Sequence, residues 1–333
     1  MTKNPYGLKL PFFVLAPMDD VTDTVFRQVI QHCASPDLFF TEFVNVDGLN
    51  SPGRGKLLKK LKLAENETNL IAQLWGLNPD NFYKTAKQIA DGTLAKELGL
   101  KNNNFIGVDL NMGCPQKSEI KAGACAALMN NRELAKEIID ATKKGLNAKL
   151  PISVKTRLGF NDIDLSWPEF LLKQNLNMLT IHGRTKSQKS NGNANWQAIN
   201  EVRLLRDKLS PDTLIVGNGD VLNRQDGLEL ASRYNLDGIM IGRGIFHDPY
   251  VFSDDSPWSK TSKNERINLF LKHVELFSST WTNNERPIHV LNRFAKVYIN
   301  DFNSAKELRM KLMNVNNADS LISELKAASS NSS

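Results

Sequence analysis

The sequence predicts a (β/α)₈ barrel, the TIM-barrel fold, followed by a small domain built only of helices. Eight short apolar runs alternate with segments of helical periodicity over roughly the first 250 residues, the usual length of such a barrel. No GxGxxG element follows the first run, as it would in an open dinucleotide-binding sheet. Reactive side chains follow most of the runs, and in this barrel the loops after the strands form the active site.

The eight apolar runs are rich in β-branched and aromatic residues, which predicts buried strands. They cover residues 12–16, 38–43, 70–75, 105–110, 151–156, 178–182, 213–217 and 236–241. Between most of them apolar residues recur three or four positions apart, as on one face of a helix. These predicted helices cover residues 22–32, 79–98, 132–144, 196–207 and 225–234.

The pattern changes after residue 250. A Ser-, Asp- and Lys-rich stretch predicts a linker or a loop that starts a helix. Only helical periodicity follows, over residues 265–277, 288–300, 304–313 and 318–328. We therefore expect a barrel domain at 1–250 and a helical domain at 251–333, with a frayed polar tail at 329–333.

Composition excludes several classes of protein. With 41% hydrophobic and 23% charged residues in 333, the chain is an ordinary globular protein. Its apolar stretches are far shorter than the ~20 residues of a membrane span, and its start does not resemble a signal peptide, so we expect a cytoplasmic protein. The net charge of +6 permits a polyanionic partner without requiring one. Three cysteines without C-x-x-C spacing argue against a disulfide framework and a zinc site.

Two glycine-containing loops follow the last two predicted strands, GNGD at 217–220 and GRG at 242–244. Glycine lets a backbone approach a ligand closely, and free amides at a following helix start favour anions. Arg243 adds a fixed positive charge, and many barrels hold a phosphate at this place. The pair of loops predicts a phosphate site, although each could simply permit a tight turn.

Polar side chains also end inner strands. Gln73 and Lys155 each interrupt an apolar run, so each needs a partner or a ligand. Lys155 could form an ion pair with Asp109, or it could stabilise negative charge on a cofactor such as reduced flavin while Gln73 binds an amide edge of the ring. Cys114 follows another strand, where a reactive thiol and an inert one are both compatible with the sequence.

His182, Arg157 and Arg184 place an imidazole and two cations at neighbouring strand ends. His182 could bind a cofactor or substrate carbonyl, or be a satisfied core histidine. The carboxylates in the sequence show no spacing that selects an acid pair. No HExxH motif, Ser-His-Asp order or metal-ligand motif occurs, so no metal is expected.

Taken together, the ordered motifs resemble the tRNA-dihydrouridine synthases, flavin enzymes in which a barrel precedes a helical domain. Between residues 12 and 250 the motifs that carry the resemblance are APMDDVTDTVFR, TEFV, AQLWG, VDLNMGCPQK, GACAALM, VKTRLGF, TIHGRTK, VGNGDV and DGIMIGRG.

The resemblance implies a role for each matching residue. Cys114 would be the general acid that protonates the pyrimidine. The phosphate of FMN would be held by Asn218, Gly219, Asp220, Gly242 and Arg243. The flavin ring would be contacted by Pro17, Met18, Asp19, Gln73 and Lys155, with His182 nearby. Candidates for contacting the flipped base or its phosphate are Asn111, Arg157 and Arg184.

The implied reaction begins when NADPH reduces FMN. Flavin N5 then delivers hydride to C6 of a uracil while Cys114 donates a proton to C5, which requires the base to leave the tRNA stack. The helical domain resembles the tRNA-binding appendage of the family. Arg286, Arg293 and Lys296 are expected to share a positive helix face there, unless that face is only solvated. Nothing requires a protein partner, and a monomer suffices.

Two other functions remain open. One is a flavin oxidoreductase that reduces a free pyrimidine, similar to the dihydroorotate dehydrogenases. The other is an RNA-binding protein whose flavin site has decayed, against which Lys155, Cys114 and the GRG loop argue. The chain also departs from the family pattern. Asp19-Asp20 stand where the family often has a small residue, and residues 96–104 look expanded at the end of the barrel opposite the active site.

Overall fold

A parallel β-sheet forms the centre of the computed structural model, which describes residues 4–330. Its strands are β1 (Phe12–Leu15), β2 (Phe39–Phe40), β3 (Val44–Asn45), β4 (Leu70–Trp75), β5 (Phe105–Met112), β6 (Ile152–Arg157), β7 (Met178–His182), β8 (Leu214–Asn218) and β9 (Gly238–Ile241).

Helices connect the strands and form the C-terminal part of the chain. The α-helices are α1 (Thr24–Ala34), α2 (Val46–Leu49), α3 (Arg54–Leu58), α4 (Pro79–Ala90), α5 (Thr93–Glu97), α6 (Lys117–Ala122), α7 (Arg132–Leu146), α8 (Ser166–Leu172), α9 (Trp196–Leu209), α10 (Arg224–Tyr234), α11 (Lys263–Thr280), α12 (Asn292–Tyr298), α13 (Ala305–Met313) and α14 (Ala318–Ser330). Short 3₁₀ helices cover Lys59–Leu61, Cys125–Asn130, Arg243–Phe246, Trp258–Lys260, Thr282–Asn284 and Ile288–Leu291.

The sheet closes on itself. Its strands follow the order β1-β9-β8-β7-β6-β5-β4-β2, and β3 also pairs with β4. Val14 forms a parallel bridge with Leu38, and the Leu15 amide donates to the Leu38 carbonyl at 3.1 Å, which joins β1 to the start of β2. Since β2 and β3 both pair with β4, they are two pieces of one barrel strand. The predicted TIM-barrel class is confirmed.

The barrel interior is filled by apolar side chains from alternate positions of its strands. On β1 these are Phe12 and Val14, followed by Ala16. The other strands add Leu38, Phe40, Ile71, Met178, Leu214, Val216 and Met240. The core therefore occupies the barrel axis and leaves the carboxyl ends of the strands for polar side chains.

Several elements differ from the prediction in detail. The helix expected at 79–98 is two helices, α4 and α5, because Gly92 between them has a left-handed backbone (φ 80°). The helix expected at 288–300 begins as a 3₁₀ turn before α12. The tail expected to fray starts inside α14, which runs to Ser330; residues 331–333 lie outside the described part of the chain.

The structure divides into two compact units. Among the described residues, the first comprises residues 4–23, 36–221 and 225–242, and the second comprises residues 24–35, 222–224 and 243–330. The second unit thus groups α1 with the C-terminal helices, while the domain boundary expected after residue 250 stays a prediction. In residues 4–330 no helix combines the length and the apolar character that a membrane span needs.

The second unit has an aromatic core of its own. Buried His273 contacts the rings of Phe26 and Phe294 and lies 3.0 Å from the Tyr298 hydroxyl through Nδ1. Burial lowers the pKa of His273 to about 3, so this imidazole is neutral. We assign it to packing.

Candidate active site at the carboxyl ends of the strands

Strand register brings several of the predicted site residues together. Lys155 on β6 pairs in register with Asn111 on β5. One level further along, Arg157 pairs with His182 on β7, and His182 pairs with Asn218 on β8. Because all these strands are parallel, their carboxyl ends meet at one rim, and five predicted residues lie on four neighbouring strands there.

A buried hydrogen-bond network begins beneath this rim. Asp109 accepts from Gln73 Nε2 through Oδ2 at 2.7 Å and from Ser153 Oγ through Oδ1 at 2.6 Å. The backbone amide of Gln73 donates to the Thr41 hydroxyl at 3.0 Å. Asp109, Gln73, Ser153 and Thr41 are all inaccessible to solvent. Their polar groups are therefore satisfied by one another rather than by water.

The charged groups in and beside this network have shifted pKa values. Burial raises the pKa of Asp109 to about 7, against the opposing effects of its hydrogen bonds and of the nearby Lys155 cation. Burial, and then the neighbouring Arg157 cation, lower the pKa of Lys155 to about 8. Within residues 4–330 Lys155 forms no ion pair or hydrogen bond with Asp109, and the two charges interact through space.

The Cys114 loop is fixed from the same network. Asn111 donates through Nδ2 to Gln73 Oε1 at 3.2 Å, and its Oδ1 accepts from the amides of Gly113 at 3.1 Å and Cys114 at 3.0 Å. Asn111 thus joins the buried amide of Gln73 to the backbone of the candidate proton donor.

The Cys114 thiol has a second cysteine beside it. The Ala126 amide donates to the Cys114 carbonyl at 3.4 Å, and Cys125, fully buried, adopts a left-handed backbone (φ 53°) at the start of its 3₁₀ helix. A hydrogen bond from the Cys125 thiol lowers the pKa of Cys114, opposed by burial, and correspondingly raises the pKa of Cys125. The acidic member of the pair is the half-buried Cys114.

Arg157 supports the loops around Cys114. Its Nε donates to the Gly113 carbonyl at 2.9 Å, and its Nη1 donates to the carbonyls of Thr185 at 3.1 Å and Lys189 at 2.7 Å. Three of its five N–H groups thus join the loop after β5 to the loop after β7. Burial lowers the pKa of Arg157 to about 10, so its guanidinium is still a cation at neutral pH.

Arg184, the other predicted substrate contact, is only 2% exposed and pairs with Asp220. Its Nε also donates to the Gly192 carbonyl at 3.1 Å. Asp220 accepts from the Ala194 amide at 2.8 Å and has a left-handed backbone (φ 56°). Within residues 4–330, Arg184 Nη1 is buried without a hydrogen-bond partner. These contacts shape the loop that precedes α9 and the GNGD loop.

The glycine loops differ in how strictly they need glycine. Gly219 has φ 134°, and a Cβ there would lie 2.6 Å from Cβ of Ala194, so no other residue fits. A Cβ on Gly242 would meet only Ala16 Cβ, at 3.5 Å. Asn218 Nδ2 donates to the Met240 carbonyl at 2.8 Å, which ties β8 to β9. Arg243, which is exposed, begins the 3₁₀ helix that follows β9.

The first loop lies at the end of β1. Pro17 and Met18 are half-buried, and the Met18 amide donates to the Thr22 hydroxyl at 2.9 Å. Asp19 forms an ion pair with Lys60 and lies close to two other carboxylates, Asp20 and Glu42. The two consecutive aspartates therefore make this edge of the barrel mouth acidic.

The three basic residues expected on one helix face are separated. Arg293 and Lys296 are exposed on α12, in agreement with that expectation. Arg286 instead precedes the 3₁₀ helix before α12, is 4% exposed, and lies over the Trp281 ring at 4.8 Å. Its cation packs on an aromatic ring rather than facing outward with the other two.

Comparison with known proteins identifies the family. The family model described as dihydrouridine synthase matches residues 14–333. The chain belongs to the dihydrouridine synthase family. The chain is 41% identical over 326 residues to "Probable tRNA-dihydrouridine synthase" of Staphylococcus aureus strain COL, covering 96% of this chain and 94% of that protein. It is 42% identical over 324 residues to "Probable tRNA-dihydrouridine synthase 2" of Bacillus subtilis strain 168, with the same coverage of 96% and 94%.

Solved structures resemble this dihydrouridine synthase in fold. Histamine dehydrogenase from Rhizobium sp. 4-9 aligns with a TM-score of 0.50 at 12% identity, over 82% of this chain and 51% of that one. The 6-hydroxypseudooxynicotine amine oxidase of Pseudomonas geniculata N1 also gives a TM-score of 0.50 at 12% identity, over 75% and 49%. At this identity the likeness supports the barrel architecture alone.

From the sequence Ser153 is not predicted at the site, Cys125 is expected only to pack, and Asp109 is only a possible ion-pair partner of Lys155. Period-two alternation on the strands could have found two of them. Ser153 precedes Lys155 by two residues and Asp109 precedes Asn111 by two, so each shares a strand face with a predicted site residue. Cys125 comes from a separate 3₁₀ helix, and no sequence pattern relates its position to Cys114.

Proposed function

We propose that this dihydrouridine synthase reduces the C5–C6 double bond of specific uridines in tRNA to 5,6-dihydrouridine, with FMN as bound cofactor and NADPH as reductant. Cys114 is the proton donor in this proposal. One observation carries it: the Cys114 backbone is held by Asn111 within the same hydrogen-bond network as Gln73, beside Lys155. A thiol acid, an amide and a cation thereby meet at one rim of the barrel.

The residues present suit a flavin. Lys155 is half-buried and has no ion-pair partner of its own in the described chain, and a cation so placed suits the negative charge of a reduced flavin. The positive φ of Gly219 requires glycine and so leaves a surface without a side chain, as a phosphate approached by main-chain amides needs. We assign the phosphate to Asn218, Gly219, Asp220 and Gly242, with Arg243 next in sequence. We assign the ring to Pro17, Met18, Asp19, Gln73, Lys155 and His182.

A bound flavin would supply the hydride that adds to C6. The chain supplies the proton: the Cys114 S–H bond breaks, and the proton goes to C5 as C6 gains the hydride. The lowered pKa of Cys114 makes the thiol a better acid than a free cysteine. Asn111, Arg157 and Arg184 remain the candidates for orienting the base, and Arg157 keeps two N–H groups beyond those bound to carbonyls within residues 4–330.

The tRNA must present the uridine outside its stacked fold, since the reacting atoms lie at a barrel rim. We propose that the helical domain, residues 251–333, binds the tRNA. Exposed Arg293 and Lys296 on α12 are available to its phosphates. We place the reaction in the cytoplasm and expect a monomer to suffice.

The test is a Cys114→Ala variant with Cys33→Ala as its matched control. Purified protein should be yellow and contain FMN by mass spectrometry. Cys114→Ala should keep the flavin but form dihydrouridine at least about 100-fold more slowly, the usual size of a general-acid effect. Cys33→Ala, which changes a cysteine outside the site, should react as the wild type does. Full turnover by Cys114→Ala would refute the assigned role.

The substrate is tested separately by comparing tRNA with free uracil in the same assay. The proposal requires reduction of tRNA uridines and only marginal reduction of the free base. If free uracil reacts as fast as tRNA, the chain is a flavin oxidoreductase for free pyrimidines instead. A colourless protein that binds tRNA and contains no FMN would point to RNA binding alone.

A further inference from the structure

We infer that Asp109 is a positioning residue for the proton donor: it fixes the orientation of the Gln73 amide, which through Asn111 fixes the Cys114 loop. The inference deepens the proposed function and rests on it for the roles of Cys114 and Gln73. The hydrogen bonds themselves stand independently of that function. They connect the buried carboxylate of Asp109 on β5 to Gln73 on β4, and Gln73 in turn to Asn111 on β5 and the backbone of Cys114.

The direction follows from what a carboxylate can do. Ionised Asp109 only accepts hydrogen bonds, so the side of the Gln73 amide that faces it must be the NH₂ group. That contact is 2.7 Å long. The oxygen Oε1 of Gln73 is consequently turned away from Asp109 and toward Asn111. An uncharged amide at position 73 has no such preference by itself, because its two ends are alike in shape.

The same reasoning continues one residue further. Gln73 Oε1 accepts, so Asn111 must present its NH₂ group to it, at 3.2 Å. The oxygen Oδ1 of Asn111 then faces the opposite way, where it accepts from the amides of Gly113 and Cys114. If the Gln73 amide were reversed, Asn111 would reverse too, and its NH₂ group would meet two backbone N–H donors. One buried acceptor, Asp109, therefore sets the donor and acceptor directions of the whole series of hydrogen bonds up to Cys114.

Solvent cannot replace these partners. Asp109 and Gln73 are 0% exposed and Asn111 is 8% exposed. A buried carboxylate is costly unless it is fully hydrogen-bonded, so an apolar residue on β5 would stabilise the barrel more simply. The presence of Asp109 is accounted for by the orientation that it imposes on Gln73.

The groups that face Asp109 come from three elements. Ser153 on β6 donates to Oδ1, and Lys155 on the same strand attracts the charge. Tyr6, in the segment before β1, has a buried hydroxyl whose pKa is raised, first by burial and then by the Asp109 charge. Gln73 on β4 completes the set. At pH 8, above the pKa of about 7, Asp109 is mostly ionised and accepts from both neighbours.

The test measures the Cys114 thiol directly, on the full chain prepared both without flavin and with it. The readout is the rate of Cys114 carbamidomethylation by iodoacetamide at pH 8, in which the thiolate displaces iodide, followed by peptide mass spectrometry. Asp109→Leu removes the acceptor and should change this rate by about fivefold or more, the factor expected when one net hydrogen bond is lost. It should also weaken flavin binding, measured by fluorescence quenching, by a similar factor.

Asp109→Asn should rescue both readouts to within about twofold, since its oxygen can accept from Gln73 while its NH₂ donates to the Ser153 hydroxyl. Ser153→Ala is the matched control, because it removes the other hydrogen bond to the same carboxylate and leaves the path to Cys114 intact. A purely structural role for Asp109 would lower the melting temperature of Asp109→Leu without changing Cys114 reactivity in the folded protein.

A second variant covers the case in which Asp109→Leu does not fold. Gln73→Met removes the hydrogen bonds that join Asp109 to Asn111, while Asp109 still accepts from Ser153. It should change Cys114 reactivity as Asp109→Leu does. Where both fold, the double variant should be no worse than either single one, because they break the same path. An unchanged rate in folded Gln73→Met or Asp109→Leu, or an equal effect of Ser153→Ala, would overturn the inference.

Failure of the inference and failure of the proposed function are distinguishable. Cys114 alkylation on flavin-free protein needs neither tRNA nor NADPH. If wild-type protein forms no dihydrouridine while the alkylation results hold, the function is wrong and the positioning path stands. If dihydrouridine forms but substitution of Asp109 does not change the alkylation rate of Cys114, the function stands and the positioning path is wrong.

Discussion

The Arg184 guanidinium is paired with the Asp220 carboxylate, and this ion pair joins the loop after β7 to the loop after β8. Arg184 is 2% exposed at its side chain, whereas Asp220 is 35% exposed. Asp220 also accepts from the Ala194 amide, and Arg184 also donates to the Gly192 carbonyl. A residue expected at the substrate and a residue expected at the cofactor phosphate are thus structurally dependent on each other.

Arg184→Ala should therefore lower the free energy of unfolding and weaken flavin binding together. We expect the free energy of unfolding to fall by about 2–4 kcal/mol. This lies toward the lower end of the range for breaking a buried ion pair, because Asp220 is partly hydrated. Urea denaturation and flavin titration measure the two effects. Lys136→Ala, which breaks the exposed Lys136–Asp140 pair, is the control and should cost no more than about 1 kcal/mol. Equal losses in the two variants would contradict the prediction.

Cys125→Ala should raise the pKa of Cys114, because the hydrogen bond from the Cys125 thiol is the largest influence that lowers it. At pH 7 less thiolate will be present, so iodoacetamide will alkylate Cys114 more slowly, and the pH profile of alkylation will move upward. Cys33→Ala serves as the control, since Cys33 takes no part in that hydrogen bond. A profile that stays in place, or moves downward, would show that Cys125 does not tune the thiol.

The strands could be predicted from sequence because strands of a parallel barrel are covered on both faces and appear as continuous apolar runs. The run at 70–75 coincides with β4 and the run at 178–182 with β7. Short helices gave no comparable signal. The six residues of α6 and the seven of α8, which contains Pro168, are too few for helical periodicity to emerge. The break at Gly92 was missed because α5, with only five residues, is too short to show a periodicity separate from that of α4.

The positions of the candidate site residues were predictable from sequence, whereas their contacts were not. Motif order placed Cys114, Lys155 and Gln73 at strand ends, and register fixes those positions once the barrel is known. The partner of a guanidinium cannot be inferred this way, since it has five donors and the carbonyls it meets are placed by loops distant in sequence. Arg157 binds the carbonyl of Lys189, for example, which only the folded loop brings near.

The pH dependence of the reaction should follow Lys155. Burial lowers its pKa to about 8, so the side chain is a cation below that pH and becomes neutral as the pH rises through it. If its positive charge supports the reduced cofactor, kcat should fall as the pH increases from 7 to 9. Lys155→Arg should keep the charge and move this loss to higher pH, although its planar head will lower the rate throughout. A wild-type rate that is flat across this range would exclude a catalytic charge at Lys155.

Gly145 in α7 should not tolerate a side chain. A Cβ there would lie 2.4 Å from the Tyr83 carbonyl oxygen and 2.9 Å from Cβ of Ala86, both on α4, so the two helices would have to move apart. Gly145→Ala should therefore destabilise the barrel by about 1–3 kcal/mol despite the better helix propensity of alanine. Gly55→Ala in α3 is the matched control, because nothing lies within 4 Å of its Cβ position and its φ is not left-handed. That control should be neutral or stabilising by up to about 1 kcal/mol. Thermal melts of the two variants will decide, and a Gly145→Ala melting temperature at or above that of Gly55→Ala would show that α4 and α7 are not in close contact at Gly145.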